Sequence, residues 1–146
     1  MRICKKTYDE IIKFFKENYD TEQGGMLGSY DGEKIEYFFP DLQPNQKTRN
    51  CYEPNIRVLN KELEKWSDKK LFFCGMIHSH LEEVVSLSWS DKKYIETIVM
   101  GISKSTSLWF PIILYQNQDI KMVVYKIEKL PDNIVQYHLE DLYIEN

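Results

Sequence analysis

The chain is 146 residues long, 42% hydrophobic and 29% charged, which fits one domain spanning residues 1–146 and is too short for two independent cores. A net charge of -4 offers no basic footprint for nucleic acid or an anionic membrane, and no uncharged run reaches membrane-spanning length. Cys4, Cys51 and Cys74 lie far apart without a C-x-x-C pair, which sets aside a disulfide framework and a cysteine-rich zinc site; with no apolar leader in "MRICKKTYDEIIKFF", the reading is a cytoplasmic protein.

In chain order, Thr7 and Glu10 have capping-box spacing, and Tyr8, Ile11, Ile12 and Phe15 recur at helical intervals, so the chain is expected to open with an amphipathic helix. Asp31-Gly32 between two apolar stretches predicts a hairpin. After the polar stretch "QPNQKTRN", a helix is expected from about Pro54, with Ile56, Leu59, Leu63 and Trp66 as its apolar stripe. "LFFCGMIHSH" is too short and too apolar for an amphipathic helix and reads as a buried strand. Ser88 to about Lys104 reads as a helix, "LWFPIILY" and "IKMVVYKI" as strands, and "PDNIVQYHLEDLY" as a closing helix. Pro111 places the first of those strands at an edge or gives it an irregularity. The mixed order predicts an α/β fold: a single-domain α-β-α sandwich with a mixed sheet flanked by helices.

Two of the three histidines stand in "HSHLEEVVSLSWSD", residues 78 to 91. On a strand, residues i and i+2 share a face, so His78 and His80 present two imidazoles together while Ser79 points away. Imidazole suits zinc, and a carboxylate from the following segment completes three protein ligands with one position left for water; Asp91 is placed to supply it. Taken alone, an H-x-H pair is usually two polar residues at a strand end, and Ser88-x-x-Asp91 is equally a helix cap. The whole pattern, H-x-H, seven residues, then S-x-x-D, has a chance occurrence on the order of one in several thousand for a chain of this length.

As a unit, this pattern resembles the motif of the JAMM metalloproteases, also called the JAB, MPN-plus or Mov34 family. "TEQGGMLG" supplies the upstream glutamate, Glu22, followed by a double glycine and an apolar strand as in compact prokaryotic members. The resemblance runs from about residue 20 to 115. It implies the JAB/MPN fold, with a layering like that of cytidine deaminases, and one Zn2+ per chain held by His78, His80 and Asp91. It further implies that Glu22 is the general base passing a proton from the attacking water to the leaving amine, and that Ser88 supports the oxyanion. Leu81 stands where the family usually has proline, so the loop leaving the site is expected to be less rigid or to follow another path.

The implied function is a zinc-dependent isopeptidase or peptidase. It would cleave after the C-terminus of a ubiquitin-like modifier or conjugated protein in a bacterial ubiquitin-like conjugation system, antiphage operons among them, beside E1-like and E2-like enzymes. Trimming of a ubiquitin-like sulfur carrier and a non-catalytic MPN-type scaffold remain alternatives. "LEEVVSL" and residues 43–53 are the expected substrate-facing loops, where Glu82 and Glu83 would meet a basic residue of an incoming peptide. Gly24, Gly25 and Gly28 form no phosphate-binding fingerprint and are expected to serve close packing; Cys74 reads as a core residue and His138 as a surface one.

Overall fold

The computed structural model describes residues 1–45, 50–102 and 107–146. The six-stranded mixed sheet is built from β2 (Gly24–Ser29), β4 (Tyr37–Pro40), β5 (Phe72–His80), β6 (Ser107–Gln116), β7 (Asp119–Lys129) and β8 (Val135–Glu140), ordered β4-β2-β5-β6-β7-β8. Only β5 and β6 pair in parallel; the remaining pairs are antiparallel. A second sheet joins β1 (Arg2–Cys4), β3 (Lys34–Ile35) and β9 (Tyr143–Glu145), with β1 in the middle and both pairs parallel.

Among the described residues, three α-helices sandwich the large sheet. On one side α1 (Lys5–Glu17) buries Ile11 and Phe15 against Leu27, Ile77, Ile113 and Val124. On the other, α2 (Ile56–Asp68) and α3 (Trp89–Gly101) bury Leu59, Trp66, Ile95 and Val99 against Met26, Met76, Phe110 and Ile112. This is the expected α/β sandwich. Among the described residues, no helix is long and apolar enough to cross a membrane.

Several local expectations need correction. Thr7 does not cap α1: Cys4 precedes the helix without a side-chain cap, and Thr7, inside it and buried, donates its hydroxyl to the Glu36 carbonyl. Pro54 stands just before α2, whose cap is the Asn55 side chain accepting from the Val58 N–H. The Asp31-Gly32 turn does join an antiparallel pair, β2 and β4, but the returning chain first spends Lys34 and Ile35 pairing with β1. The predicted closing helix is absent. Its residues form a short 3-10 turn over Pro131–Asn133, then β8 on the open edge of β7, then β9. Val135 and Tyr137 pack inward at a period of two while Leu139 remains exposed; pairing with a waiting strand edge outweighed a weak helical spacing.

β6 is an interior strand, so Pro111 does not mark an edge. It does mark an irregularity: the β5–β6 ladder pairs Gly75 with Trp109 and next His78 with Ile112, skipping Phe110 and Pro111, where proline has no N–H to give. The end of α3 expected near Lys104 lies outside the described residues, and the helix runs to Gly101.

Candidate metal centre

The face on which the histidines emerge is decided four residues before His78. Between β2 and β5 the register shifts, with Leu27 opposite Gly75 and Gly28 opposite Phe73, so Cys74 is an extra residue on β5. Such a bulge reverses the alternation of side chains beyond it. Phe73 packs toward α2 and α3 and Cys74 toward α1; strict alternation would then send Met76, His78 and His80 toward α1 as well. Instead Met76 joins the core beneath α2 and α3, and both histidines follow onto that side. The bulge needs Gly75, whose φ is +132° and where an added Cβ would lie 1.8 Å from the Trp109 carbonyl oxygen.

Asp91 arrives from above. Along α3, Asp91, Ile95 and Val99 form one buried stripe, so the packing that seats the helix also turns the carboxylate toward the strand end. Ser88 caps the helix in a full capping box: its hydroxyl oxygen accepts the Asp91 N–H at 3.0 Å, and Asp91 Oδ2 accepts the Ser88 N–H at 2.9 Å. The cap reading and the ligand reading of Asp91 therefore describe one geometry.

His78, His80 and Asp91 are 0%, 7% and 5% exposed, and they form the group of potential metal ligands among the described residues. His80 Nε2 stands 2.9 Å from His78 Nε2 and 3.0 Å from Asp91 Oδ2, and His78 Nε2 is 3.3 Å from that same oxygen. Ligand atoms at roughly 2.0–2.1 Å around a tetrahedral zinc sit about 3.3 Å apart, so the triangle is close to the right size. Its chemistry also asks for a cation. His80 donates Nδ1–H to the Val84 carbonyl at 2.7 Å, so neutral His80 turns a bare lone pair on a carboxylate oxygen. Only a proton or a metal ion reconciles those two acceptors. Burial disfavours ionisation of Asp91, yet its hydrogen bonds from His78, His80 and Ser88 hold it well below the usual carboxylate range. For His80, burial opposes the charged form, but the bonds to Asp91 and Val84 prevail and raise its pKa.

Glu22 precedes β2. Ser79 lies on the opposite face from the histidines, as expected, and locks this end of the strand: its hydroxyl accepts the Gln23 N–H, and its own N–H donates to the Gln23 carbonyl, both at 2.9 Å. Glu22 and His80 consequently line the same cleft of about 400 Å3, with Ser88 and Asp91 across from them. The structure thus brings all five sequence-predicted residues to one place. Burial pushes the Glu22 carboxyl up to about 7, against the opposing influence of His80 and the backbone N–H groups of Tyr52 and Leu81. Leu81, unlike the usual proline, has an N–H to offer that carboxylate. Glu82 also lines the cleft, and both Glu82 and Glu83 are exposed; residues 46–49 of the other expected substrate-facing loop lie outside the described residues.

Some participants escaped the sequence reading. Tyr52 donates its N–H to Glu22 Oε2 at 3.0 Å and its hydroxyl to the buried Asp41 at 2.9 Å, while its ring stacks on His78. That stacking requires Gly24, where a Cβ would come within 2.4 Å of the Tyr52 ring, so the glycine serves close packing. Tyr94 bonds His78 Nδ1 at 3.0 Å. Tyr94 was legible as a residue one turn beyond Asp91 on the same helix face; Asp41 and Tyr52 carried no local signal. His138 lies on β8, exposed and near Glu128, and Cys74 is buried in the core.

No protein-family model and no curated protein matches the chain. Solved structures do. The chain is similar to the protein DSY2949 from Desulfitobacterium hafniense, known from a solution structure, at 20% identity and a TM-score of 0.69 over 99% of this chain and 93% of that one. It is also similar to AF2198, a JAB1/MPN domain protein from Archaeoglobus fulgidus, at 12% identity and a TM-score of 0.53 over 99% and 97%. The fold is that of a JAB1/MPN domain. At these identities the likeness concerns the fold alone.

Proposed function

We propose that the chain is a zinc-dependent isopeptidase or peptidase of the JAMM type, cutting after the C-terminal residue of a ubiquitin-like modifier or of a conjugated protein in a bacterial ubiquitin-like conjugation system, antiphage systems included. The observation that carries this reading is the convergence of two imidazoles and a carboxylate, their ligand atoms within 3.3 Å of one another, beside a cleft that also holds a carboxyl raised by burial.

Zinc bound to His78, His80 and Asp91 would supply Lewis acidity toward a water and the scissile carbonyl. Glu22 takes the proton of the attacking water and gives it to the leaving amine; burial, which raises its carboxyl above the ordinary range, favours that exchange. The Tyr52 N–H fixes the orientation of that carboxylate. Ser88 uses a lone pair to cap α3, which leaves its O–H to donate to the developing oxyanion. The two roles are compatible.

Intact Glu22, His78, His80, Ser88 and Asp91 favour the enzyme over a metal-free scaffold. The test is incubation of zinc-loaded protein with conjugates of a genomically linked ubiquitin-like protein, with products read by mass spectrometry. Cleavage after the modifier's last residue, stopped by a zinc chelator, is expected. Cys51 is exposed and lines the cleft, so thiol alkylation is applied to the Cys51→Ser variant; turnover should persist, since no cysteine nucleophile is involved. Failure on every linked conjugate by zinc-loaded protein would favour the scaffold.

A further inference from the structure

Residues 50–55 belong to a connection, neither helix nor strand, yet they build part of the site: Asn50 and Cys51 line the cleft, and Tyr52 gives its N–H to Glu22 Oε2. Such a segment needs a hold from elsewhere, and Asp41 supplies it. Asp41 is 0% exposed and follows β4, with its own N–H on the Gly24 carbonyl at 2.9 Å, so it is tied to the start of the strand that Glu22 precedes. Its Oδ2 accepts the Tyr52 hydroxyl and the Asn55 N–H, each at 2.9 Å, and its Oδ1 accepts the Gln43 N–H at 3.3 Å. All three donors come from the connection between β4 and α2. The mechanism itself makes no use of this buried carboxylate.

We propose that Asp41 is a positioning residue for the general base: by gripping the Tyr52 hydroxyl and the Asn55 backbone together, it aims the Tyr52 N–H at Glu22. The proposal rests on the reading of Glu22 as that base. Tyr52 is fastened at both ends, its hydroxyl on Asp41 and its N–H on Glu22, and a tyrosine side chain has only two torsions with which to take up slack. The place of the hydroxyl therefore sets the place of the backbone. Asn55 secures the other end of the stretch, since its side-chain amide also donates to the Gln43 carbonyl at 2.7 Å and its side-chain oxygen caps α2. Only Glu53 and Pro54 separate the two gripped residues, and proline fixes one of the torsions between them. An amide in place of the Asp41 carboxylate would turn its NH2 toward a donor and lose part of the grip. A base that must meet a water then loses its aim, although its own side chain is intact.

The test compares the full chain as wild type, Asp41→Asn and Tyr52→Phe, all zinc-loaded, by amide hydrogen exchange and by turnover of the genomically linked ubiquitin-like conjugate. Asparagine keeps the size of Asp41, and phenylalanine keeps the ring on His78 while removing the hydroxyl. In both variants the Tyr52 N–H is expected to exchange about tenfold faster or more, while the amides of β5 and α3 keep their rates. The kcat should fall about 10–100-fold, with KM and zinc content unchanged. Unchanged exchange at Tyr52, or faster exchange with the wild-type kcat, overturns the proposal and leaves Asp41 as a structural tie alone. Should Asp41→Asn not fold, Tyr52→Phe decides by the same two readings. A zinc-loaded wild type that turns over no conjugate overturns the reading of Glu22 as a base, and the exchange rates still decide whether Asp41 aims the Tyr52 N–H.

Discussion

On the α1 side of the central sheet, Ile11, Phe15, Leu27, Ile77 and Ile113 are all fully buried, and the polar groups among them, Thr7 and Ser79, are each hydrogen-bonded to backbone. On the α2/α3 side, the same strand β5 turns His78 and His80 onto Asp91, with the three ligand atoms within 3.3 Å of one another. One face satisfies its polar groups internally and so contributes stability; the other gathers two imidazoles and a carboxylate that could hold a metal ion. Burying three such polar groups together costs stability, and the apolar packing of the opposite face offsets that cost.

The comparison is broken most severely at the ligands. His78→Ala or His80→Ala should remove zinc and lower turnover by roughly a thousandfold or more, since several kcal/mol of transition-state stabilisation goes with the metal. Elemental analysis beside a cleavage assay checks both halves; retained metal in either variant would remove that histidine from the ligand set. Glu22→Gln should keep the zinc and still lose turnover on the order of a thousandfold, because the base is gone and the ligands remain. Metal loss there would make Glu22 a ligand.

Glu22 also predicts a pH effect in the zinc-free protein. Its carboxyl titrates at about 7 when folded against an ordinary value of 4.5. As pH rises through that window the unfolded chain ionises first, so the folded state loses stability from about 4.5 to about 7 and is level above. Denaturant titrations across that range should register the decline in wild type and a flatter profile in Glu22→Gln.

On the other face, Phe15→Ala should cost about 3–5 kcal/mol of stability while leaving the zinc affinity of the folded protein unchanged. A shift in metal affinity would mean the two faces are coupled through the sheet. Ser88→Ala is the mildest case. Loss of the cap costs about 1 kcal/mol; if the hydroxyl also supports the oxyanion, turnover falls about a hundredfold in the same sample. Stability loss without rate loss would leave Ser88 as a cap alone.

What the sequence determined by itself was a candidate metal-ligand set and its address. His78, His80 and Asp91 were legible because imidazoles two apart on a strand share a face and because S-x-x-D fixes a helix start. The apolar stripe of α2 and the buried strand β5 were equally plain, since period and burial are local properties. Tertiary structure alone decided the rest. Neither β1 nor β9 has enough residues to signal a strand, and β8 became one only because β7 offered it an edge. The bulge at Cys74, which sends the histidines toward α3, depends on a register between β2 and β5 some fifty residues apart. Tyr52 reaches His78 and Glu22, and Asp41 reaches Tyr52, only once the chain has closed on itself, because hydrogen bonds and ring contacts between distant residues leave no period in a sequence to read.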